Sequence, residues 1–400
     1  MFRVSQFMHE IVRPTPAGPR RDPPGPVVVW NLLRRCNLDC RHCYSISADK
    51  DFPGELTTAE IFSVMDDLAA FRVPVLILSG GEPLLHPDIF EISRRAKEMG
   101  FYVGLSTNGT LITPATIARI AEVGYDYVGI SLDGIGPTHD RFRRRRGAFE
   151  DSLAGLRLCR DRDIKVGVRF TMTCDNADEL PALVDLLDQE EVDKFYLSHL
   201  NYAGRGHRNR DDDPAFAITR RAMDYLFEAC WRHVERGTGK EFVTGNNDAD
   251  GVYLLHWVRD RFPDREAHIR AKLVEWGGNA SGVNIANIDN LGRVHPDTMW
   301  WHHSLGTVRE RPFSEIWRDT SDPVMAGLKA RPRAVGGRCG ACRHFDICGG
   351  NTRVRAFRLT GDMWAEDPAC YLTDREIGVA DEPDRATAPT AGPKRHVANG

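Results

Sequence analysis

Ten cysteines are present in the 400 residues, and seven of them fall into two groups. Cys36, Cys40 and Cys43 are spaced Cys-x3-Cys-x2-Cys. Three thiolates in so tight a loop can hold three irons of a 4Fe-4S cluster and leave the fourth iron open to a small molecule. A structural zinc loop competes with this reading, although zinc takes four ligands and only His42 offers itself nearby. Cys339, Cys342 and Cys348, spaced Cys-x2-Cys-x5-Cys and followed by Cys370, supply four thiolates. That is enough to close a cluster completely, or to hold a zinc ion by four sulfurs. Cys159, Cys174 and Cys230 stand apart and read as small buried apolar side chains.

The front cysteines do not stand alone. Ser79-Gly80-Gly81-Glu82-Pro83 follows an apolar run, and its glycines let a ligand approach the backbone closely. Glu82 can accept bonds from an ammonium group. Ser106-Thr107-Asn108-Gly109 and Ser131-Leu132-Asp133-Gly134 close two further runs. Each alone is ordinary turn chemistry. Their common position, each at the carboxyl end of an apolar run, makes the set specific.

The elements that must position these groups are legible as alternation. Short apolar runs at 27–32, 74–79, 102–106, 127–132, 165–171 and 194–198 are too short for helices and rich in Val, Ile, Leu, Phe and Tyr. Amphipathic stretches separate them. One opens at Thr57 with Glu60 three positions on, a capping box. Another has Thr113 before Pro114, a cap with proline at the first helical position. Gly100 and Gly124 close two helices. Six β–α repeats predict an α/β fold, a parallel sheet curling into a partial (βα)6 barrel with chemistry at the carboxyl ends of its strands. Residues 219–236 read as a helix. The chain divides into an N-terminal extension (1–26), a barrel core (27–215), a helical linker (216–285), a small loop-rich cluster domain (286–379) and a Pro/Ala/charge-rich tail (380–400) expected to be disordered.

Composition narrows the function classes. Apolar residues are 42% and charged residues 28%, as in an ordinary globular protein. A formal charge of -4 offers no general reason to bind nucleic acid. No stretch reaches the ~20 apolar residues of a membrane span. Residues 1–26 lack a continuous apolar core and do not read as a signal peptide. A cytoplasmic protein with reduced thiols is expected, in which grouped cysteines mean metal.

CNLDCRHCY, SGGEP, STNG and SLDG, in this order, resemble the motifs of the radical S-adenosylmethionine (SAM) enzymes, over about residues 27–200. The resemblance implies that Cys36, Cys40 and Cys43 ligate a 4Fe-4S cluster whose open iron takes the SAM amino and carboxylate groups. It implies that Gly80, Gly81 and Glu82 hold the methionyl amino group. Asn108 and Asp133 lie in the SAM-site motifs, and Ser106, Ser131 and Arg143 match positions contacting ribose or carboxylate. The implied chemistry is one-electron cleavage of SAM to a 5′-deoxyadenosyl radical that abstracts hydrogen. The rear cysteines resemble a SPASM-type auxiliary domain, whose pattern provides for two clusters. Here Asp297 and Thr352 stand at two of the expected cysteine positions, so one auxiliary 4Fe-4S cluster, and two clusters in all, are expected.

Residues 1–43, with HEIVRPTP and WNLLRRCNL, are similar to radical SAM proteins of heme d1 and alternative heme biosynthesis. This implies a siroheme-derived tetrapyrrole (didecarboxysiroheme) as substrate, radical attack on its propionates, and a reductase, flavodoxin or ferredoxin as electron donor. Arginine forks suit such carboxylates. Arg141, Arg143, Arg144, Arg145 and Arg146 form one basic run, and Arg205, Arg208 and Arg210 another. For most of these, a solvated charged face is the competing explanation. Met299-Trp300-Trp301-His302-His303 could stack on or ligate a macrocycle, or simply pack locally. His199 faces the same choice. A peptide-modifying maturase is the alternative enzyme. A plain electron carrier leaves SGGEP and SLDG unexplained.

Overall fold

The structure, a computed structural model, describes residues 1–16 and 25–379. One ten-stranded sheet organises it: β1 (Val27–Asn31), β2 (Val75–Ser79), β3 (Tyr102–Thr107), β4 (Tyr127–Ser131), β5 (Val166–Met172), β6 (Lys194–His199), β7 (Glu241–Gly245), β8 (Ile285–Ile288), β9 (Arg293–His295) and β10 (Gly306–Thr307). The order is β10-β9-β8-β1-β2-β3-β4-β5-β6-β7, parallel from β8 through β7 and antiparallel at β9 and β10. The six expected strands are present within a residue or two. Each alternates, one side meeting helices and the other lining a concave face.

Helices between the strands cover the outer side. Thr57 caps the helix Thr58–Ala70 with the expected capping box. Gly124 ends the helix Ile117–Val123 in a left-handed turn. The next expectation fails: Thr113-Pro114 does not start that helix. The Thr116 hydroxyl instead accepts from the Thr113 amide at 2.8 Å, holding a turn, and the helix begins at Ile117. Cys159 and Cys230 are buried as expected, but Cys174 is exposed. It follows β5 in a loop whose backbone is tied to Asp212, not in the core.

Two differences extend the sheet beyond six strands. β7 lies inside the stretch read as a helical linker, and pairs along all of its length with β6. β8 spans the start of the rear region yet pairs with β1, so rear domain and barrel share one sheet. The N-terminal extension contains the helix Val4–Val12, whose Phe7, Met8 and Ile11 are buried. Phe2 bridges to Thr244 at the β7 edge and packs its ring 4.8 Å from Trp276. The tail 380–400 lies outside the described residues. Among the described residues, no helix is long and apolar enough to cross a membrane.

Candidate active site: two cysteine centres around a polar concave face

The front cysteine loop leaves β1 and stays tied to it. Leu32 N donates to Ser79 O, Gly81 N to Leu33 O (2.8 Å) and Glu82 N to Arg35 O (2.9 Å), so the β1–β2 ladder continues into the two loops. A Cβ on Gly81 would sit 2.1 Å from Arg35 O, and one on Gly80 2.6 Å from Leu33 O. The cysteine loop's own backbone is therefore what approaches these glycines. Arg205 braces the loop from the far side through Nε to Cys40 O (2.7 Å) and Nη1 to Ser47 O (3.0 Å).

Each of the three sulfurs meets polar donors. Leu38 N lies 3.4 Å from Cys36 Sγ, and Arg143 Nη1 lies 3.3 Å from Cys40 Sγ. Ser45 Oγ lies 3.2 Å and Ser47 N 3.5 Å from Cys43 Sγ. The Ser45 and Ser47 hydroxyls meet at 2.7 Å across Ile46, a β-branched residue held at φ 54°. That is a rare conformation for a β-branched side chain, and it aims the turn at the sulfur. Burial pushes the Cys36 and Cys40 thiols up, so these sulfurs become thiolates when a cation replaces the proton.

Glu82 is fully buried, and its carboxylate accepts from Asn108 N (2.8 Å), Thr107 Oγ1 (2.7 Å) and Leu84 N (3.2 Å). Burial pushes its pKa up to about 7 against these donors. Asn108 Nδ2 reaches Asn37 at 2.9 Å, joining the β3 end to the cysteine loop. Asp133 accepts from Thr171 N at 2.6 Å and pairs with Arg143, whose side chain is only 12% exposed. Thus Gly80, Gly81, Glu82, Asn108, Asp133 and Arg143 all gather on the three cysteines. Ser106 accepts from Arg169 Nη1, while Ser131 lies on the neighbouring strand. Of the other arginines, Arg141 donates to Thr138 and Arg144 pairs with Asp39, as for a solvated face.

Strand glycines shape the concave face. A Cβ on Gly167 would lie 2.2 Å from the Tyr127 hydroxyl, and one on Gly245 2.1 Å from the Tyr196 hydroxyl. Two tyrosines can therefore lie flat over neighbouring strands. Tyr44 enters the same face, its hydroxyl accepting from Asn31 Nδ2 at 2.9 Å. Asn31, Ser45, Arg169 and Tyr196 escaped the sequence reading, and Arg205, read there as part of a basic run, braces the cysteine loop instead. Isolated glycines inside apolar strands were the available signal for the tyrosines.

Cys339, Cys342, Cys348 and Cys370 are unpaired and mutually close enough to raise one another's pKa. Burial is the larger cause, and pushes Cys370 up to about 12. Asp367 N and His344 N point at Cys339 and Cys342 from 3.4 and 3.3 Å. Among the described residues, the three metal-capable atoms found within 4.8 Å of one another belong to Cys174, Asp175 and Asp212. Asp297 accepts from Ser281 and from Met299 N (2.7 Å), and Thr352 is buried at the start of the helix Arg353–Thr360. His199 is buried against Asp250 (3.0 Å) and stacked on Tyr371, which also bonds Asp250.

A parallel sheet with a three-cysteine loop and glycine-bearing turns at its carboxyl end defines an iron–sulfur enzyme of the radical type. Residues 30–187 match the radical SAM superfamily, and the chain belongs to it. It is 56% identical, over 97% of this chain and 96% of the relative, to pre-heme d1 synthase of Dinoroseobacter shibae. It is 46% identical, over 88% and 89%, to Fe-coproporphyrin III synthase of Methanosarcina barkeri. Its fold resembles SuiB of Streptococcus suis bound to S-adenosylmethionine (TM-score 0.67, 18% identity, 87% of this chain and 78% of that one). It also resembles anSMEcpe with bound AdoMet and a Cp18Cys peptide (TM-score 0.64, 18% identity, 87% and 94%). The protein is a radical SAM enzyme using SAM and a 4Fe-4S cluster for a radical-based modification.

Proposed function

We propose that this enzyme modifies propionate side chains of a siroheme-derived iron tetrapyrrole on the route to heme d1. The observation that carries the chemistry is the front loop, three cysteine sulfurs with donors aimed at each and no place in the motif for a fourth. When bound there, a cluster with SAM supplies a 5′-deoxyadenosyl radical that abstracts hydrogen from a propionate. Cys36, Cys40 and Cys43 hold the cluster. The Gly80–Gly81–Glu82 turn, with one carboxylate lone pair of Glu82 still free, receives the methionyl ammonium. Ser106, Asn108, Ser131, Asp133 and Arg143 border the remainder of SAM. Arg143 also stays on Cys40, held there by Asp133.

The substrate reading rests on the full-length similarity to pre-heme d1 synthase. We assign Cys339, Cys342, Cys348 and Cys370 to a single auxiliary 4Fe-4S cluster that exchanges electrons with the substrate. A second auxiliary cluster is disfavoured because Asp297 already accepts two hydrogen bonds. A reductase, flavodoxin or ferredoxin serves as donor.

The test is anaerobic incubation with SAM, dithionite and didecarboxysiroheme, followed by mass spectrometry, with a candidate peptide in parallel. Mass loss at propionates is expected. An unchanged tetrapyrrole with a modified peptide would overturn the substrate assignment. The similarity to Fe-coproporphyrin III synthase supports a second reading, in which the product is Fe-coproporphyrin III. Product masses separate the two.

A further inference from the structure

Within the loop after β9, the aromatic residues divide sharply by what they touch. Trp300 is 1% exposed and packs with Val324, Leu328 and Val354. His303 bonds Asp322 through Nε2 at 2.9 Å, and its carbonyl meets His295 Nδ1 at 2.7 Å. Trp301 stacks on His295 with ring centroids 6.2 Å apart. Local packing accounts for the rings of all three, although the buried Nε1 of Trp300 and that of Trp301 have no hydrogen-bond partner among the described residues. His302 differs. It reaches solvent, and among the described residues neither ring nitrogen has a hydrogen-bond partner.

Its ring is nonetheless held. It lies nearly parallel to Trp300 (5.3 Å, 20°) and to Phe357 (5.1 Å, 8°). Two such contacts fix a ring plane and leave the nitrogen-bearing edge directed away from both faces. Partial burial, with the positive charge of Arg358, pushes the His302 pKa down to about 4. The imidazole is therefore neutral at ordinary pH and carries a lone pair, the form that binds metal. Arg358, next in sequence to Phe357, adds a cation close enough to act on His302, and its buried Nε has no hydrogen-bond partner among the described residues. His207 Nδ1, also near Arg358, is in the same condition.

The position is right for a substrate of the front centre. Trp301, next in sequence to His302, meets Tyr44 edge-on at 6.2 Å, and Tyr44 directly follows Cys43. The short helix Gly204–Arg208, which carries His207, is fastened to the cysteine loop by Arg205 N donating to Cys43 O at 2.9 Å. One rim thus joins the cysteine loop, His207, His302 and Arg358.

We propose that His302 is an axial ligand to the iron of the substrate tetrapyrrole, and that Arg358 takes one of that molecule's side-chain carboxylates. This rests on the tetrapyrrole reading above. Iron held by a histidine nitrogen is ordinary haem chemistry, and a guanidinium beside it suits a carboxylate. Ligation from one side and an ion pair at the edge fix both the plane and the rotation of the macrocycle.

The test uses the anaerobically reconstituted full chain, with iron coproporphyrin III and metal-free coproporphyrin III as probes. Wild-type protein binds both, and the reduced iron form shows the Soret band of a five-coordinate iron porphyrin with one histidine ligand. His302→Ala loses that signature and weakens iron-porphyrin binding at least tenfold. It leaves the metal-free porphyrin within twofold, and added imidazole restores the spectrum. Arg358→Gln weakens both porphyrins together. Unchanged bound iron per chain in each variant shows that folding is intact. A wild-type spectrum and affinity in His302→Ala overturns the ligand assignment. Failure of wild-type protein to bind either porphyrin overturns the tetrapyrrole reading itself.

Discussion

Replacing Gly81 with alanine should dismantle the front centre while leaving the rest of the fold standing. The added Cβ would lie 2.1 Å from Arg35 O, 2.5 Å from Arg35 C and 2.6 Å from Arg34 O. Ordinary contact begins at 3.4 Å, so the cysteine loop must retreat by the difference, 1.3 Å. The obstructing atoms are backbone, which has no rotamer to change. That retreat breaks Gly81 N to Leu33 O (2.8 Å) and Glu82 N to Arg35 O (2.9 Å). Two hydrogen bonds at ~1 kcal/mol each, plus ~1–3 kcal/mol of overpacking, give a local cost of roughly 3–5 kcal/mol. At 1.4 kcal/mol per tenfold, amide exchange at residues 81 and 82 should accelerate by roughly two to three and a half orders of magnitude. Iron after anaerobic reconstitution should fall from about eight to about four per chain, the rear cluster being untouched. Gly100→Ala is the control. Its φ is +84° but no heavy atom lies within 4 Å, so it costs only the ~1–2 kcal/mol of a left-handed residue and keeps its iron. A Gly81→Ala protein with wild-type exchange and full iron would refute the steric reasoning.

Arg355 and Asp367 form a fully buried two-bond pair (3.0 and 2.8 Å) that joins the rear helix to the segment before Cys370. Arg355→Met should cost ~3–5 kcal/mol in urea unfolding, most of it recovered by adding Asp367→Leu; an effect under ~1 kcal/mol would remove the pair as a strut. His139 is wholly buried, accepts from Asp133 N at 2.9 Å, and has its pKa pushed down to about 2 by burial and then Arg143. The unfolded chain protonates this histidine below pH ~6.5 and the fold refuses the proton, so stability should fall by ~1.4 kcal/mol per pH unit as pH drops below that value. His139→Gln should flatten the unfolding-versus-pH slope by one proton, and an unaltered slope would contradict the burial argument. Ser45→Ala removes the hydroxyl that lies 3.2 Å from Cys43 Sγ and that would donate to it as a thiolate. It should lower the front cluster's reduction potential in a spectroscopic titration by tens of millivolts, ~59 mV being tenfold for one electron; an unmoved potential excludes the bond.

Order along the chain decided much of this protein. Short apolar runs separated by amphipathic stretches, three of them closed by the SGGE, STNG and SLDG turns, read as parallel strands with those polar ends at one rim, because a β–α repeat returns every strand in the same direction. Cysteine spacings of two and three residues are local, so the front loop and its chemistry were visible before any fold. The absence of cysteine at Asp297 and Thr352 was visible only against the SPASM-type pattern that the rear cysteines resemble. Long-range packing was not. That Gly81 is pressed by Arg35, that β8 completes the sheet beside β1, and that Ile46 turns two serines onto Cys43 depend on contacts no periodicity encodes. Trp300, Trp301, His302 and His303 are adjacent and chemically alike in the sequence. Only the tertiary structure buried Trp300, paired His303 with Asp322 and left His302 with a fixed plane and, among the described residues, no hydrogen-bond partner at either ring nitrogen, because packing depends on which neighbour each ring meets and not on the order in which the rings occur.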